Sequence, residues 1–292
     1  MSDDITIQHA EHAGEGGHWY DPATRQLVTG VPDAKGKRLV KPTLVHARKF
    51  GLVPGATTIA NLLKSPGLTY YREDSLLDAA LTLPVIANEP ADTRKRRVRD
   101  DAEAHATHAR NEGTVIHTVL HRYAEDHDLM DYDKLQQLYA NVVKPVEMPD
   151  LHWLYKACGE VGRIERELGG RGVHVVACEQ GFATHEFGGT IDRLWQFPDG
   201  SRAIVDFKGI EPSKLVKYHP YDEYGYQLAG YGFGLGWTPV DRYFNIAIAR
   251  GLGLCAVYEW RPAKMVQNFA MFRALLHVWQ VKNRWEEIHK ED

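Results

Sequence analysis

Residues 188–209, Gly-Gly-Thr-Ile-Asp-Arg-Leu-Trp-Gln-Phe-Pro-Asp-Gly-Ser-Arg-Ala-Ile-Val-Asp-Phe-Lys-Gly, read as a β-hairpin: two arms rich in β-branched and aromatic residues around a Pro198-Asp199-Gly200 turn. Paired strands must bury a face, yet Asp192, Asp206 and Lys208 sit inside the arms. An unpaired buried carboxylate costs several kcal/mol or more. With Pro198–Ser201 as the loop, Phe197 pairs with Arg202 and Asp192 falls opposite Phe207, one position from Asp206. Strand period then puts Asp206 and Lys208 on one face and Val205 and Phe207 on the other. Two neighbouring anions beside a lysine are what a hydrolytic metal site needs. A divalent cation neutralises the carboxylates, binds a phosphate oxygen and activates a water that the lysine orients or deprotonates. The structural alternative is an Asp206–Lys208 salt bridge with Asp192 capping a neighbouring group.

The rest of the chain narrows the setting. At 292 residues, 43% hydrophobic and 25% charged, it is long enough for one large domain or a core with an added lobe. A formal charge of -4 excludes a surface that is basic everywhere, so a nucleic-acid partner must be held by local patches. Cys158, Cys178 and Cys255 are odd in number and contain no Cys-x-x-Cys pair, which disfavours a disulfide framework and an iron-sulfur or zinc module. With no membrane-length apolar run and no signal-like start, the expectation is a soluble intracellular protein, cytoplasmic if bacterial or phage-encoded.

Along the chain, residues 1–17 read as a polar arm, and the stretch from Leu52 as a short helix capped by Thr57 or Thr58 and stopped at Ser65-Pro66-Gly67. These belong to an N-terminal arm and small lobe over residues 1–100, with the main core over 101–292. A helix is expected from Ala102 to about Asp128, preceded by the basic run Arg94-Lys95-Arg96-Arg97-Val98-Arg99. Gly113 inside that helix costs about 1 kcal/mol relative to alanine, which implies a close backbone approach. Helical spacing over 133–168 is interrupted at Pro145 and Pro149. Three strands then follow at 173–182, 189–197 and 202–208, a helix at 221–235, paired strands at 243–249 and 254–260, and a helix at 266–288 whose Phe269, Phe272, Leu276 and Trp279 read as core. The order is α+β in character.

In this setting four motifs resemble those of the PD-(D/E)xK nucleases, in the RecB-like branch with phage and mitochondrial genome maintenance exonucleases. Gly113-Thr114-x-x-His117 is similar to the branch's helix motif, and Gly189-Thr190-Ile191-Asp192 to its first acidic strand. Asp206-Phe207-Lys208 is similar to its second acidic strand, and Gln227-x-x-x-Tyr231 to its following helix motif. They span about 120 residues in the branch's order. The Thr57-Thr58-Ile59 and Pro66-Gly67-Leu68 segments are also similar to phage and mitochondrial members, less specifically.

The resemblance implies a restriction-endonuclease-like fold, a central mixed β-sheet flanked by helices, with the small N-terminal lobe added. It implies Mg²⁺ or Mn²⁺ held by His117, Asp192, Asp206 and the backbone carbonyl of Phe207, with Lys208 serving the nucleophilic water. Gln227 and Tyr231, sharing a helix face, would reach a phosphate or that water. Glu179 matches an acidic position of the branch and either touches the site through water or is structural. Arg193 points away from Asp192, toward packing or a surface ion pair. His117 and His121 also imitate a zinc-protease helix, but Thr118 stands where the general-base glutamate should be. The implied activity is a DNA exonuclease of recombination, repair or replication, acting on DNA with a free end, single strands favoured, without an iron-sulfur cluster or a helicase motor. A flap or branch endonuclease would use the same residues, and a non-catalytic nucleic-acid-binding module is the alternative of another class. Nothing in the sequence fixes the oligomeric state.

Overall fold

The computed structural model describes residues 6–10, 18–63, 66–170 and 172–285. Short elements come first: β1 (Gln8–His9), β2 (Trp19–Asp21), β3 (Gln26–Pro32), β4 (Leu39–Val40), α1 (Leu44–Phe50), β5 (Val53–Pro54) and α2 (Ala56–Ala60). Four helices follow: α3 (Pro66–Thr82), α4 (Ala91–Asp126), α5 (Tyr132–Val142) and α6 (His152–Glu167). The chain then runs through β6 (His174–Ala183), β7 (Gly188–Gln196), β8 (Arg202–Ile210), α7 (Asp222–Gly234), β9 (Arg242–Ala249), β10 (Cys255–Glu259) and α8 (Pro262–Lys282). No helix of the described residues is long and apolar enough to cross a membrane.

The central sheet has the order β10-β9-β8-β7-β6, antiparallel except for the parallel β8–β9 pair. A parallel neighbour requires a crossover, and α7 supplies it. The crossover returns the chain across the sheet face that carries Ile204, so α7 lies beside the even-numbered side chains of β8. Ile204 packs there with Leu228 and Ala229 of α7 and with Phe269, Phe272 and Trp279 of α8. On the opposite face Ala203, Val205 and Phe207 pack with Val115 and Leu120 of α4, Tyr139 of α5 and Leu154 and Val161 of α6. The sheet is therefore a mixed one sandwiched between helical layers, as the resemblance implies, and the four expected C-terminal core residues of α8 are all buried.

The N-terminal elements share the first of these cores. Trp19, Val28, Leu52, Ala56 and Ile59 pack with Phe182, Tyr231 and Phe272, and Gly55 bridges to Gly188. A Cβ at Gly188 would stand 2.6 Å from Tyr20 Cβ, which makes glycine the residue that admits the β2 strand. The expected division at residue 100 falls inside α4.

Several local expectations change for identifiable reasons. Gln8 and His9, placed in a polar arm, pair with Gly30 and Val28, while residues 1–5 and 11–17 of that arm lie outside the described ones. The cap of α2 is Gly55 rather than Thr57 or Thr58, because β5 pairs with β2 up to that point and the helix starts at once. Pro66 opens α3 instead of ending α2; a first-turn residue needs no N–H donor, so proline is suited to it. The basic run Arg94–Arg99 lies within α4 rather than before it, since Pro90 starts the helix and lysine and arginine propagate it well.

Candidate functional site

The site is built where two strands separate. The β7–β8 ladder runs from Gln196↔Arg202 to Arg193↔Val205, one residue out of the expected register. Phe197 N donates to Ser201 O and Gly200 N donates to Phe197 O, so the loop is Pro198–Gly200 with Gly200 left-handed at φ +84. The loop is one residue shorter than the expected Pro198–Ser201, which brings Asp192 into line with Asp206 rather than with Phe207. Past Arg193 the ladder ends, and Asp192 Oδ2 accepts the Phe207 N–H over 2.6 Å in its place.

Two groups of side chains meet at this opening. On one side, His117 Nδ1 of α4 lies 3.3 Å from Asp192 Oδ1 and 3.5 Å from Glu179 Oε1 of β6. One ligand atom from each of the three comes within 4.8 Å of the others. Glu179 stands in mid-strand at φ +46, a left-handed conformation that is uncommon for a non-glycine residue. On the other side, Lys208 Nζ donates to Asp206 Oδ1 over 2.8 Å and to Gln227 Oε1 over 3.1 Å. Gln227 Nε2 in turn donates to Tyr231 OH over 2.5 Å, one helical turn away on α7. Asp206 Oδ2 accepts from Asn245 Nδ2 over 2.7 Å. Both Asp206 oxygens are thus engaged away from His117, and the imidazole gathers Asp192 and Glu179 instead.

The electrostatics follow from burial and these pairings. Burial pushes the Asp206 carboxyl up to about 6, with Asp192 adding to the shift and Lys208 opposing it. Burial also works against the charged form of Asp192, but His117, Lys208 and the Phe207 N–H outweigh it and hold the group below the ordinary carboxylate range. Likewise His117 is held well above the usual imidazole range by Asp192 and Glu179, despite its burial. Lys208 is kept cationic by Asp206, Tyr224 and Asp192 against the same desolvation. A site that stabilises this much positive charge on its own side chains is suited to a cation, which must displace the imidazole proton to use that nitrogen.

The opening lies in a cleft of about 830 Å³. Arg110, Gly113, Thr114, His117 and His121 of α4 form one wall; Tyr20, Arg25, Thr57, Thr58 and Asn61 from the N-terminal elements form the other. A Cβ at Gly113 would meet no protein atom within 4 Å. The close approach expected of this glycine is therefore not to another part of the protein; the residue faces the cleft. His121 also faces it, with Nε2 3.3 Å from Glu125. The basic run lies elsewhere: Arg97 is paired with Glu89, and at 1.5 Å per residue Arg94 to Arg99 sit about 27–35 Å along α4 from His117.

Arg193 does point to the opposite face, but not to the surface. Only 1% exposed, it donates to Glu165 Oε1 over 2.6 Å and to Leu120 O over 2.8 Å, with its guanidinium 5.2 Å from the Phe207 ring. Trp195 Nε1 reaches the same Glu165 oxygen over 3.0 Å. The structure also adds side chains that the sequence reading did not single out: Asn245 against Asp206, and Tyr224, whose ring centroid is 4.8 Å from Lys208 Nζ. Neither carries a motif of its own; strand pairing and the crossover put them there.

No curated protein matches the chain. Similar solved structures include LHK-Exo in complex with dAMP, at 12% identity over 73% of this chain and 89% of that one, TM-score 0.31. An alkaline exonuclease (LHK-Exo) from Laribacter hongkongensis is similar at 15% identity over 57% of this chain and 90% of that one, TM-score 0.32. SSO0001 is similar at 13% identity over 72% and 87%, TM-score 0.24. A sequence family described as the PD-(D/E)XK nuclease superfamily matches residues 93–245, from the start of α4 to the middle of β9. That match takes in more than half of the chain and every element that supplies the opening between β7 and β8, and the chain belongs to the PD-(D/E)XK nuclease superfamily.

Proposed function

We propose that the chain is a Mg²⁺- or Mn²⁺-dependent DNA exonuclease that takes DNA with a free end, preferably single-stranded. The observation that carries the reading is the position of Asp192 in one cleft, between the His117–Glu179 group and the Asp206–Lys208–Gln227 chain. His117, Asp192, Asp206 and the Phe207 carbonyl, with Glu179 added on the geometry, would hold the cation; mixed nitrogen and oxygen donors of this kind suit Mg²⁺ and Mn²⁺. When bound, it would neutralise phosphate charge and lower the pKa of water.

The chain's own residues do the positioning. An ammonium has three donors, and Lys208 uses two of them on Asp206 and Gln227. The third is left for the attacking water. Gln227 accepts from Lys208 and donates through Nε2 to the Tyr231 hydroxyl; both are buried and neither lines the cleft, so the pair holds Lys208 from behind. Tyr20, Arg25, Thr57, Thr58 and Asn61 line the cleft together with α4, which favours a threaded strand over a side-on duplex.

A covalently closed single-stranded circle tests the need for an end. It is expected to survive in Mn²⁺ while its linearised form is degraded from a terminus. Efficient cutting of the circle would replace the exonuclease reading with the flap or branch endonuclease.

Substitutions at two positions of α4 test this side of the cleft. His117→Ala is expected to raise the Mn²⁺ concentration for half-maximal activity at least tenfold, the order typical of a disturbed metal site, while the fold is retained; an unchanged titration would make the histidine structural. Gly113→Ala is expected to stabilise α4 by about 1 kcal/mol in urea unfolding, whereas Gly113→Leu, projecting into the cleft, should weaken DNA binding in Ca²⁺. Equal DNA affinity for wild type and Gly113→Leu would show that the strand passes elsewhere.

A further inference from the structure

Behind Asp206 lies a polar pair that the proposed reaction does not use. Asn245 is fully buried in β9, among Tyr243, Phe244, Ile246, Ala247, Ile248 and Ala249, all buried as well. Packing alone asks for an aliphatic residue here, because a buried carboxamide is costly unless both of its ends are bonded. Both are. Trp260 Nε1, just beyond β10 and 2% exposed, donates to Asn245 Oδ1 over 2.7 Å, and Asn245 Nδ2 donates to Asp206 Oδ2 over 2.7 Å.

The orientation of this amide is forced. An indole N–H only donates, so the carbonyl end of Asn245 must face Trp260 and its NH₂ end must face Asp206. The parallel ladder sets Asn245 directly beside Asp206, so the contact is fixed by strand register. A carboxylate without such a partner turns broadly about its terminal torsion; with Oδ2 held, Oδ1 stays on Lys208.

Resting on the reading of Asp206 and Lys208 given above, we infer that Asn245 and Trp260 are positioning residues for hydrolysis: the carboxamide of Asn245, fixed by the Trp260 indole, aims Asp206 and through it the ammonium of Lys208. Neither touches substrate. Their loss therefore acts on turnover and not on DNA binding.

Trp260→Phe keeps the apolar bulk and removes the donor, and Asn245→Leu removes the amide. Each is expected to lower kcat on end-labelled DNA in Mn²⁺ about 10- to 100-fold, as loss of a partner behind a site group does, with KM and Ca²⁺ DNA affinity within twofold. Trp279→Phe, an equally buried indole outside this chain, should keep the wild-type kcat. A second readout needs no activity. Among the seven tryptophans, the ¹⁵N-indole resonance of Trp260, assigned by its loss in Trp260→Phe, should shift in Asp206→Asn while the other indoles stay in place and report a folded protein. Wild-type kcat in Trp260→Phe, a rise in KM alone, or a Trp260 resonance indifferent to Asp206→Asn overturns the inference. If wild-type protein cleaves nothing, the reading of the site falls, and the indole resonance alone decides whether the pair holds Asp206.

Discussion

Lys208→Ala is expected to lower the cleavage rate in Mn²⁺ by about 10²–10⁴-fold, the range for a group that positions or moves a proton in the transition state, and to leave DNA affinity in Ca²⁺ within a few-fold. On the proposed reading the two effects separate, because the ammonium would act on one water whereas binding would be spread over many phosphate contacts. Lys208 is 20% exposed and bonded to Asp206 and Gln227, so its removal also frees the Asp206 carboxylate and the Gln227 carbonyl. Asp206→Ala should stop turnover too. Quench-flow cleavage rates beside gel-shift affinities check the pair; a Lys208→Ala protein that cuts at the wild-type rate would mean that the activity does not come from this hairpin.

The largest stability effect should come from the opposite face of the same sheet, where Arg193 of β7 meets Glu165 of α6. Glu165→Ala leaves the guanidinium of Arg193, 1% exposed and bonded to Glu165 over 2.6 Å, as a buried charge without its carboxylate. Breaking one partner of such a pair costs about 3–5 kcal/mol, and Trp195 Nε1 loses its acceptor as well. In a domain of this size the melting temperature should fall on the order of 10 °C. The double change Glu165→Ala with Arg193→Met should recover most of the loss, because no unpaired charge remains. Thermal unfolding followed by circular dichroism decides it: a Glu165→Ala protein melting with wild type would show that water reaches Arg193.

How much of this was legible before the structure depends on the kind of residue. Strand period alone puts Asp206 and Lys208 on one face, with Val205 and Phe207 packed on the other. The register of Asp192 differs by one residue from the expected one, since a sequence shows Gly200 in a turn but not that its φ of +84 lets the loop close at Ser201. Glu179 is expected either to touch the site through water or to be structural; its approach to His117 depends on a left-handed backbone in mid-strand that composition does not announce. Asn245 reads in sequence as a lone polar residue in a buried strand. Only the parallel β8–β9 ladder gives it Asp206 as a neighbour. The N-terminal side of the cleft is legible only in part: Thr57 and Thr58 stand in a segment that reads as helical, whereas Tyr20 and Arg25 come from a short strand and the turn after it, whose few residues carry little period.

The central claim is that the opening between β7 and β8 is a metal-dependent site of DNA hydrolysis. Metal-stripped wild-type protein, incubated with end-labelled linear single- and double-stranded DNA, tests it most directly when Mg²⁺ or Mn²⁺ is added back and then chelated. The account predicts no cleavage without metal, release of labelled products on addition, and arrest on chelation. Substrates that stay intact in both metals, or that are cut equally well in chelator, would contradict it.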